Sequence, residues 1–185
     1  MIYLPEENKA FVLVPKNCSY SIRELFKHHP TAIYAYNGDM EHVGVQEALD
    51  LKLCSQSTSF IGIVRCPWER QLSLYLHRHR KKRYDQPCSP THFRQLAASG
   101  CIQDYPYQMR LQRDYLTYNG ELRAEAVAYE VANQLFNSYG TLGHLNRSSK
   151  HTTSTLIEKF YDDVTREAVA HYWAPDFKLR AELLK

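Results

Sequence analysis

Residues 10–14 read Ala-Phe-Val-Leu-Val, a continuous apolar run that Pro15 closes. Such a run fits a strand buried on both faces rather than one alternating between core and water. Ile22, Leu25, Phe26 and His29 then recur at helical spacing over residues 19–29, with Asn17 or Ser19 as the N-cap. A second unit of the same kind starts with Ser-Phe-Ile-Gly-Ile-Val at 59–64. It continues through Arg65-Cys66-Pro67 into a helix on which Trp68, Leu72, Tyr75 and Leu76 share one face. Pro67 stands at the helix start, where its missing N–H removes no bond. Between the two units, residues 32–36 read as a third strand and 45–53 as a helix. Downstream, 84–104 reads as a loop with one helical piece at 92–98. Residues 107–116 and 131–139 are helical, 126–129 form a strand, and 154–180 are mostly helical. Strands alternating with helices predict a three-layer α/β fold with a central parallel β-sheet flanked by helices. With no internal repeat and no polar linker, one domain over residues 1–185 is expected.

Composition narrows the class. A chain of 185 residues, 44% hydrophobic, has the material for one core, and no apolar run approaches the ~18 residues of a membrane span. With 7 Gly and 8 Pro, a collagen-like or low-complexity chain is excluded. The opening Met1-Ile2-Tyr3-Leu4-Pro5-Glu6-Glu7 lacks a charged segment followed by an apolar one, which predicts a cytoplasmic protein. Five cysteines without a repeated spacing signal neither a disulfide framework nor a zinc site, so reduced thiols and no metal are expected. The net charge of +3 hides a cluster. Arg78, Arg80, Lys81, Lys82 and Arg83 carry five positive charges, and without them the rest of the chain is at −2. Any affinity for polyanions is therefore local.

In sheets of this type ligands bind where strands end and helices begin, because first-turn N–H groups are unpaired and attract anions. Val14-Pro15-Lys16-Asn17-Cys18-Ser19-Tyr20-Ser21 has that layout, with a lysine in the turn and hydroxyl residues at the helix start. It contains no glycine, which sets it apart from the phosphate loop of nucleoside triphosphatases and disfavours a nucleotide kinase. At the second strand end, Arg65 is followed eight residues later by Ser73; an Arg fork and a hydroxyl can share one phosphate. The plainer alternatives are a solvated Lys16, an Arg65 paired with a carboxylate, and a Ser73 that only packs.

Together the two segments resemble the sulfotransferases that use 3′-phosphoadenosine 5′-phosphosulfate (PAPS). Residues 11–23 are similar to their 5′-phosphosulfate-binding segment, and residues 60–75 to their 3′-phosphate-binding segment. Further similarities lie at Glu41-His42-Val43-Gly44, Gln112-Arg113-Asp114-Tyr115-Leu116, Tyr129-Glu130 and Leu145-Asn146-Arg147-Ser148-Ser149-Lys150. The resemblance implies a P-loop-NTPase-like sulfotransferase fold and transfer of a sulfuryl group from PAPS to a hydroxyl or amine. It implies a carbohydrate acceptor, since small carbohydrate-type members look nearest. Lys16 is then catalytic, neutralising charge at the 5′ end, helped by Asn17, Cys18, Ser19, Tyr20 and Ser21. Arg65 and Ser73 hold the 3′-phosphate, and Ser148 and Lys150 lie near the nucleotide.

His42 is implied as the base, with His77 and His79 as alternatives expected to face solvent. Tyr20 departs from the pattern by replacing the first of two hydroxyl residues, and is expected either to crowd the phosphate or to turn into the core. Trp68 is expected to pack in the core rather than stack on adenine. Two other functions remain open: a nucleotide-binding member without turnover, and a nucleic-acid-binding protein using residues 78–83. The second ranks last because no aromatic-rich RNA-binding strand accompanies the charges.

Overall fold

The computed structural model describes residues 1–35, 42–81, 84–99, 110–140, 142 and 154–185. The strands are β1 (Ile2–Leu4), β2 (Lys9–Val12), β3 (Ile33–Tyr34), β4 (Ser59–Val64), β5 (Thr117–Tyr118), β6 (Glu121–Leu122) and β7 (Glu125–Ala128). The helices are α1 (Ser19–Phe26), α2 (Val45–Asp50), α3 (Pro67–Arg80), α4 (Pro90–Ala98) and α5 (Gln112–Leu116). They continue with α6 (Ala132–Leu135), α7 (Ser154–Phe160), α8 (Asp163–Tyr172) and α9 (Ala174–Leu183).

Five strands form one sheet in the order β3-β1-β2-β4-β7, and β5 and β6 form a separate hairpin. β4 pairs in parallel with β2 on one side and with β7 on the other, so three neighbouring strands end at the same edge. The sheet is mixed rather than wholly parallel, because β1 runs antiparallel to both β2 and β3. The reason is local. Only Pro5–Glu7, a 3-10 turn, and Asn8 at φ 47° join β1 to β2, and a connection that short can only reverse the chain.

Alternate residues of the central strands enter two different cores. Ala10, Val12, Val14, Phe60 and Val64 face α2, α5 and α9, whereas Phe11, Leu13, Ile61 and Ile63 face α1 and α6. Both faces of the sheet are thus covered, which is why these strands read as unbroken apolar runs. A third cluster joins α3 to α4, α7 and α8 through Leu72, Tyr75, Phe93, Phe160 and Trp173. Gly62 permits the closest approach: a Cβ there would stand 2.1 Å from Leu116 Cδ2, so α5 sits nearer to β4 than any side chain would allow.

The first strand ends at Val12, earlier than its apolar run. Val14 N–H turns back onto the carbonyl of Val12 and Asn17 N–H onto that of Val14, so the chain leaves the sheet before Pro15. The helix expected over 131–139 shrinks to the 3-10 turn Tyr129–Val131 followed by the four-residue α6. Of the helix expected at 107–116, Gln112–Leu116 is helical, and 107–109 lie outside the described residues. Among the described residues, no helix is long and apolar enough to cross a membrane.

Candidate functional site

The loop after β2 carries Lys16, Asn17 and Cys18. Lys16 (φ 68°) and Cys18 (φ 63°) both adopt the left-handed conformation without being glycine, at a cost of roughly 1–2 kcal/mol each. Such a backbone persists only when its surroundings over-determine it. Here the determinant is Asn17, buried between the two, whose Nδ2 donates to the carbonyl of Ile63 (2.7 Å) and to Gln112 Oε1 (2.5 Å). The loop delivers the chain into α1 at Cys18, whose side chain makes no capping hydrogen bond to the helix. Cys18 is buried, and burial pushes its thiol up to about 12, which keeps the sulfur protonated. Ser19 is half-buried and Ser21 buried. Tyr20 is 64% exposed: it turns into solvent and not into the core.

The loop after β4 carries Arg65, 4% exposed. Its Nε donates to Glu69 Oε2 (3.0 Å) and its Nη1 lies 3.4 Å from the carbonyl oxygen of Lys16, while the guanidinium carbon stands 4.9 Å from the ring centre of Tyr129. Arg65 therefore pairs with a carboxylate, as the plainer reading expects, yet it also bridges to the Lys16 loop. Ser73 stands one helical turn beyond Glu69, and Arg80 two turns beyond Ser73, so all three share one stripe of α3. Ser73 Oγ is buried without a hydrogen-bond partner among the described residues, an arrangement that costs about 1–3 kcal/mol in a hydroxyl shut away from water.

Lys16 is not a solvated loop lysine. Burial, then the charges of Arg80 and Arg65, bring its ammonium down to about 8. Among the described residues no carboxylate pairs with it, and Glu69 is the one carboxylate pairing with any of Lys16, Arg65 and Arg80. Lys16 and Arg65, with Glu69 as their one paired carboxylate among the described residues, leave a local positive excess that a multiply charged anion would balance, and the exposed Arg80 adds its charge from the end of α3.

His42 sits at the same edge of the sheet. Its Nδ1 lies 2.5 Å from the carbonyl oxygen of Leu13, which only accepts, so Nδ1 carries the proton and Nε2 is the basic nitrogen. His77 Nδ1 lies 3.4 Å from Arg80 Nη2. His79 is half-buried rather than facing solvent: its ring lies tilted against Tyr84 (4.7 Å) and meets Tyr75 (4.5 Å) and His92 (5.5 Å) edge-on. The charge cluster is divided too. Arg78 is buried and donates to the Tyr84 hydroxyl, Arg80 is exposed, and Lys82 and Arg83 lie outside the described residues. Ser148 and Lys150 also lie outside them. Trp68 packs edge-on against Phe177 at 4.9 Å, in the core as expected.

Three polar residues to which the sequence assigns no role complete the site; of these, Gln112 belongs to one of the similar segments. Arg70 is fully buried, donates through Nε to the carbonyl of Pro15 (3.2 Å) and lies over the Trp173 ring. Asp176 is fully buried and accepts from the backbone N–H groups of Gln112 (2.9 Å) and Arg113 (3.0 Å). Gln112 joins both loops from behind. Burial holds the Asp176 carboxyl above its ordinary range, against the opposing pull of the Arg70 charge and of those amides.

The donor set suits an anion: a buried hydroxyl without a partner and a desolvated lysine without a paired carboxylate, both among the described residues, and an arginine that Glu69 orients. Comparison of the chain with protein-family models, with curated proteins and with solved structures returned no match.

Proposed function

We propose that this chain is a PAPS-dependent sulfotransferase, with the P-loop-NTPase-like sulfotransferase fold, acting on a hydroxyl or amine of an acceptor of carbohydrate type. The observation that carries the reading is the pairing of the Lys16 and Arg65 loops at the ends of β2 and β4, Arg65 Nη1 lying 3.4 Å from the Lys16 carbonyl, together with the buried Ser73 hydroxyl on α3, which has no hydrogen-bond partner among the described residues. PAPS, when bound, supplies an activated sulfuryl group on a phosphate leaving group.

The protein's part in such a transfer is alignment and charge stabilisation. Lys16, in the loop that leads into α1, neutralises negative charge at the 5′ end. Arg65 and Ser73 hold the 3′-phosphate, which selects PAPS over simple adenylates. His42, with its Nδ1 proton committed to Leu13, offers Nε2 to take the proton from the acceptor.

The test is thermal unfolding with adenosine 3′,5′-bisphosphate, followed by transfer of labelled sulfate from PAPS to a saccharide panel. A good site stabilises by ~2.7 kcal/mol at a hundred times Kd. Stabilisation with transfer supports the reading. Stabilisation without transfer to any acceptor moves it to a nucleotide-binding protein that lacks turnover, and no stabilisation at millimolar ligand overturns it.

A further inference from the structure

The two loops of the proposed site carry one ligand group each, Lys16 after β2 and Arg65 after β4, and their direct contact is a single long one, Arg65 Nη1 to the Lys16 carbonyl at 3.4 Å. A stronger link lies behind them. Gln112, the first residue of α5, is fully buried and uses its whole side-chain amide on the loops. Oε1 accepts from Asn17 Nδ2 at 2.5 Å and from Arg65 N–H at 2.9 Å, while Nε2 donates to the Arg65 carbonyl at 2.9 Å. The two bonds to Arg65 satisfy both backbone groups of one residue, as a neighbouring strand would, just where β4 stops. Asn17 Nδ2 also donates to the Ile63 carbonyl, so loop, strand end and helix are tied at one place.

Gln112 is itself fixed from three sides. Its backbone N–H donates to Asp176 on α9. Leu116, one turn further along α5, lies against Gly62 of β4. Arg70, whose charge interacts with Asp176, holds the carbonyls of Pro15 and Arg110 at 3.2 Å each, and so grips the Lys16 loop and the approach to α5 together. The chemistry requires an amide of this length. A carboxylate would set a negative oxygen against the Arg65 carbonyl, a hydrocarbon would orphan three buried polar groups, and an Asn is one methylene short.

We infer that Gln112 is a positioning residue: it sets the separation of the Lys16 and Arg65 loops so that one ligand bearing two phosphoryl groups engages both. The inference rests on the nucleotide reading above. A two-ended ligand gains affinity over its halves only when both subsites are held at the matching distance, so the advantage of the doubly charged ligand is the quantity that Gln112 controls.

The experiment measures, by calorimetry on the full chain, the affinities of adenosine 3′,5′-bisphosphate, adenosine 5′-monophosphate and adenosine 3′-monophosphate for the wild type, Gln112→Asn and Gln112→Met. In the wild type the bisphosphate is expected to bind at least about a hundredfold more tightly than either monophosphate. In the variants that advantage is expected to shrink by about tenfold or more while each monophosphate changes less than about threefold. Parallel weakening of all three ligands, or no change in any, overturns the role of Gln112 while leaving the nucleotide reading standing. A wild type with no preference for the bisphosphate overturns both. Should Gln112→Met fail to fold, Gln112→Asn, which keeps the amide, gives the same ratio. Should both fail, Asn17→Ser frees the Lys16 loop from Gln112, and an undiminished bisphosphate advantage in that variant overturns the inference.

Discussion

His42 donates its Nδ1 proton to the carbonyl oxygen of Leu13 at 2.5 Å, three residues ahead of Lys16. The bond spans 29 positions of sequence and fixes the ring's tautomer at the edge of the sheet where the two loops leave. A ring held this way has one basic nitrogen and a set direction, which is what a proton acceptor needs.

Replacing His42 by Asn is therefore expected to lower kcat for sulfate transfer by ~10²-fold or more, the usual yield of a positioned general base. Adenosine 3′,5′-bisphosphate affinity should be nearly unchanged. The pH profile of kcat should lose its acidic limb in the variant. A variant with wild-type kcat would remove His42 from the chemistry.

Lys16 makes a pH prediction whose sign follows from its depressed value. Its ammonium is held down to about 8 from 10.5, so the ligand-free fold is penalised below that point and the penalty fades as pH rises toward the ordinary lysine range. Binding a bisphosphate favours the charged form. Affinity should thus be greatest below pH 8 and fall as pH rises through it, with proton uptake on binding at pH 8 detectable as a buffer-dependent calorimetric enthalpy. Lys16→Met should raise the melting temperature of the ligand-free protein at pH 7 and weaken bisphosphate binding by about tenfold or more. A flat affinity profile from pH 7 to 10 would show that Lys16 does not meet the anion.

Ser73 gives a test with opposite signs in two measurements. Its hydroxyl is buried without a partner among the described residues, so Ser73→Ala should leave the ligand-free protein as stable or more stable, by up to ~1 kcal/mol. The same change should weaken the bisphosphate by ~1–2 kcal/mol and leave adenosine 5′-monophosphate nearly unaffected, because the lost bond is to the 3′-phosphate. Destabilisation of the ligand-free protein with unchanged binding would make Ser73 a packing residue.

What the sequence makes legible here is what is local. β4 and the start of α3 can be read because an unbroken apolar run meets Pro67, and Lys16 and Arg65 because each directly follows such a run. β1 is three residues long and acquires its direction only from the short turn to β2, so the parallel sheet that the pattern predicts holds for β2, β4 and β7 and fails for β1. The charges at 78–83 are adjacent in sequence, whereas a helix turns each successive residue about 100° and sends Arg78 inward and Arg80 into solvent. The polar frame of Arg70, Gln112 and Asp176 was beyond reach for a different reason. Their partners lie 55, 95 and 64 positions away, and nothing near a glutamine or an aspartate announces that it will be buried.

The closeness of α5 to β4 is the last feature open to a direct test. Gly62 is the strand residue on which Leu116 rests, and an added Cβ would come within 2.1 Å of Leu116 Cδ2, closer than the atoms can stand. Since Gln112 and Leu116 are four residues apart on one face of α5, any shift that relieves the clash also moves the Gln112 amide from Arg65. Gly62→Ala should destabilise by about 1–3 kcal/mol, as overpacking does, and Leu116→Ala by ~2–5 kcal/mol through the cavity it leaves. The double variant should be less destabilised than the sum of the two, because the new methyl occupies space that Leu116 vacates. Chemical denaturation of the four proteins measures this coupling. Strict additivity would mean that α5 is placed by something other than its contact with Gly62.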